Sequence, residues 1–183
     1  MARLIHLNGP PGIGKSTLAR RYVEDHPGVL NCDVDRLRTL IGGWEADFLA
    51  AGELIRPAAL AMIEAYLAQG HDVVFPQMLV RPDEVARFEL AATNAGARFV
   101  ERVLMDSAAS SVARFARRGA SEAHDPWHDQ VRAIVVAQGG EAALAGYHAA
   151  LEQLVRDRPS AVVIDSTEGA LDETFRLLVD SLS

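Results

Sequence analysis

Short runs of aliphatic and β-branched residues alternate along the chain with longer segments whose apolar positions recur at helical spacing. Runs that are apolar throughout are typical of strands buried on both faces of a parallel sheet. The alternation therefore predicts an open α/β fold with a five-stranded parallel sheet flanked by helices, which binds ligands beyond the carboxyl ends of its strands. The predicted strands are RLIHL (3–7), GVLNC (28–32), DVVFP (72–76), RFVERVLM (98–105) and AVVID (161–165). The predicted helices cover residues 15–25, 35–41, 45–69, 82–95, 107–118, 127–155 and 169–182.

The length of 183 residues, without internal repeats or a linker-like segment, predicts one domain over residues 1–183. No segment reaches the ~18 consecutive apolar residues of a membrane span, and the apolar start is too short for a secretory leader. We therefore expect a cytoplasmic protein without a membrane partner. The single cysteine, Cys32, lies on a predicted strand and is expected in the core.

The chain uses arginine for its basic residues at every position except one. The chain has 18 lysine and arginine residues, and Lys15 is the only lysine. The formal net charge of −7 disfavours a polyanionic partner, although a local arginine cluster still attracts phosphates. Lys15 is therefore a position at which the type of cation matters.

Lys15 belongs to GPPGIGKS (9–16), which matches the phosphate-binding pattern G-x-x-x-x-G-K-[ST] between a predicted strand and a predicted helix. Glycines let the backbone curl so that successive N–H groups surround a phosphate, and the helix N-terminus adds partial positive charge. A compact ammonium fits inside such a loop, whereas the broad guanidinium of arginine does not. The motif predicts a P-loop NTPase fold that binds ATP, with Ser16 as a ligand of Mg²⁺. The residues expected to hold the nucleotide are Gly9, Pro10, Pro11, Gly12, Ile13, Gly14, Lys15, Ser16 and Thr17.

Two acidic residues follow the second predicted strand, in NCDVDRLR (31–38). Asp35 or Asp33 is expected to accept the proton of the hydroxyl that receives the phosphoryl group, and we favour Asp35. One of the two would instead cap the helix that begins here. Arg38 shares a helical face with Asp35 and is expected to hold an anionic part of the acceptor, unless it is an ordinary exposed arginine.

The segment NGPPGIGKSTLARRYVEDHPGVLNCDVDRLR (8–38) resembles the start of the kinase domain of phage-type polynucleotide 5′-hydroxyl kinases. The phosphate-loop lysine, the HPG turn and the aspartate–arginine pair carry the resemblance. It implies that Asp35 acts as the base and that Arg38 contacts a phosphate of the acceptor. The wider group with this layout includes chloramphenicol phosphotransferase, gluconate and shikimate kinases, zeta-toxin-like sugar-nucleotide kinases and AAA_33-like ATP-binding proteins.

Three arginines stand in SVARFARRGASEAHDP (111–126), at positions 114, 117 and 118, before Gly119 and a polar loop. This pattern predicts a small helical, arginine-bearing lid over about residues 114–130. RFARRG also resembles the lid of the polynucleotide kinases, which implies that Arg118 stabilises the transition state. Arg114 is a further candidate for nucleotide binding. The alternative is a basic helix C-terminus that complements its own dipole.

The end of the third predicted strand departs from the related kinases, which often have an acidic residue there. Pro76 and Gln77 occupy this place, so Mg²⁺ would rest on Ser16, the phosphates, water and Asp33. Gln77 and Arg81 are candidate acceptor contacts.

Further candidates lie elsewhere in the chain. In similar kinases the turn after the last strand passes the adenine ring, which implies a place there for Asp165 and Thr167, unless Ser166 or Thr167 caps a helix. Trp44 lines the acceptor pocket or packs in the core. His124 and His128 are four residues apart, but Pro126 prevents a regular helix through them and disfavours a metal site.

These features together predict a magnesium-dependent kinase that transfers the γ-phosphate of ATP to a hydroxyl group. The net charge favours a small-molecule acceptor, and the resemblance over residues 8–38 favours the 5′ end of a nucleic acid. An ATP- or GTP-binding regulatory protein and a weak triphosphatase are the alternatives from other classes. The residues expected to carry the chemistry are Lys15, Asp35, Arg38 and Arg118.

Overall fold

The computed structural model describes the backbone of residues 1–121 and 126–183, and the side chains of residues 1–117 and 129–183. The described strands form one five-stranded parallel sheet in the order β2-β3-β1-β4-β5. The predicted parallel α/β sheet is therefore confirmed. The second strand is shorter than predicted, because only two residues pair with β3. The strands are β1 (Arg3–Asn8), β2 (Leu30–Asn31), β3 (Val73–Pro76), β4 (Arg98–Met105) and β5 (Val162–Asp165).

Helices cover both faces of the sheet, as predicted. One apolar cluster joins the sheet to α3, α4 and α7, and a second joins the other face to α1 and α8. Cys32 is fully buried in the first cluster, and burial raises the pKa of its thiol to about 12, which confirms its place in the core. No described helix is both long and apolar enough to span a bilayer. The described helices are α1 (Lys15–Asp25), α2 (Val34–Arg38), α3 (Phe48–Ala68), α4 (Pro82–Asn94), α5 (Ala108–Ser121), α6 (Pro126–Ala137), α7 (Glu141–Asp157) and α8 (Leu171–Ser181).

The single helix predicted over residues 127–155 is wrong. Two helices, α6 and α7, occupy this region, and Gly139 and Gly140 separate them with φ angles of 111° and 62°. Such left-handed conformations end a helix and are favoured at glycine. The break allows α6 and α7 to pack against each other.

Asn8 connects the central strand to the loop that precedes α1. Its side chain is fully buried, and its Nδ2 donates to the carbonyl of Leu79 at 2.8 Å. Its Oδ1 accepts from the backbone N–H groups of Leu79 at 3.0 Å and Gly9 at 2.9 Å. Asn8 therefore fixes the start of the glycine-rich loop to the segment after β3, at the carboxyl edge of the sheet.

Candidate active site

The glycine-rich loop between β1 and α1 begins at a position that only glycine fits. Gly9 has a φ angle of 142°, and a β-carbon built on it would lie 2.5 Å from the carbonyl oxygen of Leu104. Gly12 passes close to the backbone of Phe115 on α5. The start of the loop is therefore packed tightly against β4, and Gly12 is in ordinary contact with α5.

Lys15 is the first residue of α1 and folds back over the loop. Its Nζ donates to the carbonyl oxygens of Gly9 at 2.8 Å and Pro10 at 2.9 Å. Ser16 follows in the first turn, and both side chains line the same cavity. A helix N-terminus, an ammonium group and a hydroxyl thus converge at one point, which is an arrangement suited to phosphate.

Arg114 and Ser166 brace the loop from two other elements. Arg114 donates to the carbonyl of Ile13 at 3.1 Å and also to the carbonyl of Ser166. The hydroxyl of Ser166 donates to the carbonyl of Ile13 at 3.1 Å. Thr167 is exposed and donates to Asp165 at 3.2 Å, and its place beside the adenine ring stays a prediction. The described contact between this turn and the loop runs through Ser166, which the sequence suggested only as a helix cap.

The arginine segment of α5 lies beside the same turn. Arg117 forms an ion pair with Glu168 at the surface. The backbone of α5 continues through Gly119 to Ser121, so the helix extends beyond its predicted end at residue 118. The side chains of Arg118, Trp127 and His128, as well as the whole of His124, lie outside the described residues, so the lid arginine and the histidine pair stay predictions.

Asp33 and Asp35 have different roles in the local structure. The Oδ1 of Asp33 accepts from the backbone N–H groups of Asp35 at 3.1 Å and Arg36 at 3.4 Å, which makes Asp33 the N-cap of α2. Asp35 lines the cavity. Burial raises the pKa of Asp35 to about 6, while the charges of Arg38 and Lys15 act in the opposite direction. A carboxyl with such a pKa is suited to exchange protons near neutral pH.

Arg38 is buried beside Asp35. Its Nη2 lies 3.7 Å from Oδ1 of Asp35, and its guanidinium carbon lies 3.9 Å from the ring centre of Phe48. The predicted proximity of the two residues is confirmed, whereas the alternative of an exposed arginine is wrong. Burial lowers the pKa of Arg38. Gly52 on α3 provides the room for this side chain, because a β-carbon there would stand 2.9 Å from Nη2.

These groups surround one cavity of about 250 Å³. Gln77 lines it, whereas Arg81 is exposed and forms ion pairs with Asp83 and Glu84. Trp44 is not among the lining residues and packs instead near Phe48, which takes the place predicted for it. The lining residues are Pro11, Gly12, Gly14, Lys15, Ser16, Asp35, Arg38, Phe48, Leu49, Gln77, Met78, Phe115, Val131, Arg132, Ile134, Val135 and Tyr147.

A buried ion network lies under the acceptor side of the cavity. His6 is fully buried, and its Nε2 lies 2.9 Å from the carbonyl oxygen of Gln77. Its Nδ1 lies 3.5 Å from Oε1 of Glu101, whose Oε2 accepts from Nε of Arg158 at 2.7 Å. Arg158 also donates to Glu89 at 2.8 Å. The backbone at Gln77 is therefore anchored to both β1 and β4.

The oxygen donors at the loop are of the kind that Mg²⁺ prefers. The hydroxyl of Ser16 is exposed to the cavity, whereas Asp33 is used as a helix cap and is not among the lining residues. The described residues contain no group of three histidine, cysteine, aspartate or glutamate side chains placed to hold a metal ion. Mg²⁺ usually needs only one or two protein oxygens beside phosphate and water, so Ser16 fits such an ion, and Asp33 stays a prediction.

The chain is similar to known proteins in sequence and in fold. Residues 4–137 match the sequence model of AAA_33, which is described as an AAA domain. No curated protein matches the chain. A gluconokinase from Sinorhizobium meliloti 1021 superposes with a TM-score of 0.62 at 19% identity, over 98% of this chain and 90% of that one.

Two other solved structures share the fold. The Pnkp1/Rnl/Hen1 RNA repair complex has a TM-score of 0.69 at 18% identity, over 86% of this chain and 46% of that one. The tunicamycin resistance protein of Deinococcus radiodurans has a TM-score of 0.57 at 16% identity, over 98% of this chain and 95% of that one. The predicted P-loop NTPase fold is therefore confirmed.

Proposed function

Because the chain belongs to the AAA domain family AAA_33, we propose that it is a kinase that transfers the γ-phosphoryl group of ATP to a hydroxyl group of a small molecule. One observation carries this proposal: Lys15 and Ser16 of the phosphate loop line the same cavity as the carboxyl of Asp35. A phosphate cradle and a proton acceptor that share one cavity are what phosphoryl transfer to an alcohol requires.

The phosphate end of the site is formed by the loop backbone and Lys15. The ammonium now bonded to the carbonyls of Gly9 and Pro10 would turn to the β- and γ-phosphates. Arg114 keeps the loop in shape through its bond to Ile13. Mg²⁺, held through Ser16, supplies positive charge that offsets the charge of the phosphates.

Asp35 is the proposed general base. As the hydroxyl oxygen of the acceptor forms its bond to the γ-phosphorus, the bond from that phosphorus to the β–γ bridging oxygen breaks and ADP leaves. The proton of the hydroxyl passes to Asp35. Arg38, 3.7 Å from this carboxyl, favours its ionised form and borders the space for the acceptor. Arg118 is proposed to stabilise the charge of the transferred group.

A polynucleotide 5′-hydroxyl is the second candidate acceptor. The likeness to the RNA repair complex and the buried Arg38, a suitable partner for a nucleotide phosphate, favour it. The net charge of −7 and the cavity volume of about 250 Å³ favour a small molecule.

The test is to incubate the purified chain with Mg²⁺ and ATP labelled at the γ-phosphate, together with small alcohols or DNA and RNA with free 5′-hydroxyl ends. We expect labelled product from a small alcohol, and we expect Lys15→Ala to abolish it. Release of phosphate that no acceptor accelerates would favour the triphosphatase. Tight ATP binding without any turnover would favour the regulatory protein.

A further inference from the structure

The lining of the cavity divides by the element that contributes it. The phosphate loop, α2 and the end of β3 provide polar groups, namely Lys15, Ser16, Asp35, Arg38 and Gln77. The helices around the rest of the cavity provide mainly apolar side chains. These are Phe48 and Leu49 of α3, Phe115 of α5, and Val131, Ile134 and Val135 of α6.

The polar groups on the helical side already have protein partners. The hydroxyl of Tyr147 donates to Oε1 of Gln138. Arg132 lies 3.8 Å from Oδ1 of Asp129, one turn earlier on α6. Apart from Arg132 and Tyr147, the helical side offers an acceptor mainly apolar contacts, against which an unpaired hydroxyl would lose its water without compensation.

The charges near the base are also balanced within the protein. Arg38 forms an ion pair with Asp35 at 3.7 Å and lies over the ring of Phe48, while its buried Nε has no hydrogen-bond partner among the described residues. No anionic group is needed on the acceptor to neutralise it. Gln77 has a buried Oε1 without a hydrogen-bond partner among the described residues, so the polar side has room for one donor from the acceptor.

An apolar side chain marks the border of the cavity with solvent. Leu49 lines the cavity and is nevertheless 63% exposed, at the start of α3. An acceptor with an apolar body would cover this side chain and remove its surface from water. A sugar acid would leave it without a matching surface.

We propose that the acceptor is a small, uncharged alcohol with an apolar body, either aromatic or branched aliphatic. This inference rests on the proposed kinase function and names its substrate class. The hydroxyl faces Asp35 and the phosphate loop, and the body lies against α3, α5 and α6. The cavity of about 250 Å³ is slightly smaller than the usual ligand pockets of proteins, which measure about 300–1,000 Å³, so the acceptor is small.

The test compares acceptors that differ in the body attached to a primary hydroxyl. Cyclohexanemethanol and 3-phenylpropan-1-ol are compared with glycerol, gluconate and an oligonucleotide with a free 5′-hydroxyl, each with Mg²⁺ and labelled ATP. We expect kcat/KM to be at least 100-fold higher for the two apolar alcohols. Higher values for the polyols or the oligonucleotide, or transfer to no alcohol by protein that binds Mg·ATP, would overturn the inference.

Isosteric variants test the apolar wall itself. Val131→Thr and Val135→Thr keep the side-chain volume and add a hydroxyl to the wall, so we expect kcat/KM for the apolar alcohols to fall about fivefold or more. Val136→Thr is the matched control, because Val136 lies on the same helix, is 67% exposed and does not line the cavity. Equal effects of the wall and control variants would contradict the inference.

Calorimetry with Mg·ATP separates the two proposals. Unchanged nucleotide affinity in the wall variants assigns their effect to the acceptor. Failure of the unaltered chain to bind Mg·ATP would overturn the proposed kinase function, and the substrate class with it.

Discussion

Gly52 of α3 makes room for the guanidinium group of Arg38. A β-carbon built on Gly52 would lie 2.9 Å from Nη2 and 3.2 Å from Nε of Arg38. Arg38 in turn lies 3.7 Å from the carboxyl of Asp35. A residue without a side chain therefore determines where the charged partner of the proposed base lies.

Gly52→Ala is predicted to impair catalysis without weakening the fold. Alanine is favoured over glycine inside a helix by about 1 kcal/mol, so α3 itself gains stability. The added methyl group displaces Arg38, and we expect kcat/KM for the acceptor to fall at least tenfold. Steady-state kinetics and thermal unfolding measure the two effects.

Gly146→Ala on α7 is the control for this substitution. It also replaces a helical glycine, but a β-carbon there meets no atom within 4 Å. We expect unchanged kinetics from it. A loss of activity similar to that of Gly52→Ala would show that the displacement of Arg38 is not the cause.

The rate of phosphoryl transfer is predicted to depend on the ionisation of Asp35. Burial raises the pKa of this carboxyl to about 6, and only the ionised form accepts a proton. The rate should therefore rise with pH up to about 6 and then level off. Asp35→Asn should lower kcat by about 10²–10⁴ and remove this dependence, while Mg·ATP still binds. A pH profile of kcat unaltered by the substitution would exclude Asp35 as the base.

The same raised pKa predicts that the stability of the fold decreases as pH rises, whereas the rate increases. Because the folded-state pKa of Asp35 lies above the ordinary value, ionisation of this carboxyl destabilises the fold. Stability is therefore lost as pH rises through about 6. Asp35→Asn removes this cost and should be more stable than the unaltered chain at pH 8, with little difference at pH 4. Thermal unfolding at the two pH values measures it, and a destabilised variant at pH 8 would contradict the raised pKa.

Glu101 is predicted to be important for folding rather than for chemistry. Burial by itself would raise the pKa of Glu101, but hydrogen bonds and charge from His6 and Arg158 hold it below the ordinary value. Its stabilisation is therefore complete above about pH 4 and lost in stronger acid. Glu101→Gln should lower the free energy of unfolding at pH 7 by about 3 kcal/mol, because Arg158 loses a buried anion. Chemical denaturation measures this change.

Glu173→Gln is the matched control for Glu101→Gln. Glu173 lies 2.6 Å from Arg176, but both side chains are mostly exposed, and such a pair contributes little to stability because water screens it. An equal loss of stability in the two variants would contradict the buried role of Glu101.

The phosphate loop could be predicted because its signal is local. Glycine spacing, Lys15 and the change from strand to helix all lie within ten residues. The contacts that shape the site join distant parts of the chain: Ser166 meets Ile13, and Leu79 meets Asn8. A single sequence carries no signal for such pairs, so the contacts of Ser166 and Asn8 with distant segments were missed.

A local sequence pattern could not decide between two local structures that give the same pattern. Asp33 and Asp35 both suit a base or a cap, and only the start of α2 at Val34 distinguishes them. By contrast, the adjacent Gly139 and Gly140 are a local signal for a helix break. The prediction of one helix over residues 127–155 gave more weight to the apolar period than to this signal.

Arg118 provides a test of the lid, since it and Arg117 are neighbours on α5. Arg117 pairs with Glu168 at the surface and does not line the cavity, so Arg117→Ala should leave kcat within about twofold. Arg118→Ala should lower kcat by about 10³ with little change in Mg·ATP affinity, because an arginine that stabilises only the transition state does not contribute to ground-state binding. Rapid-quench kinetics with calorimetry distinguishes these outcomes. If both variants lose activity equally, Arg118 does not specifically stabilise the transition state, and the basic residues of α5 complement the dipole of their own helix.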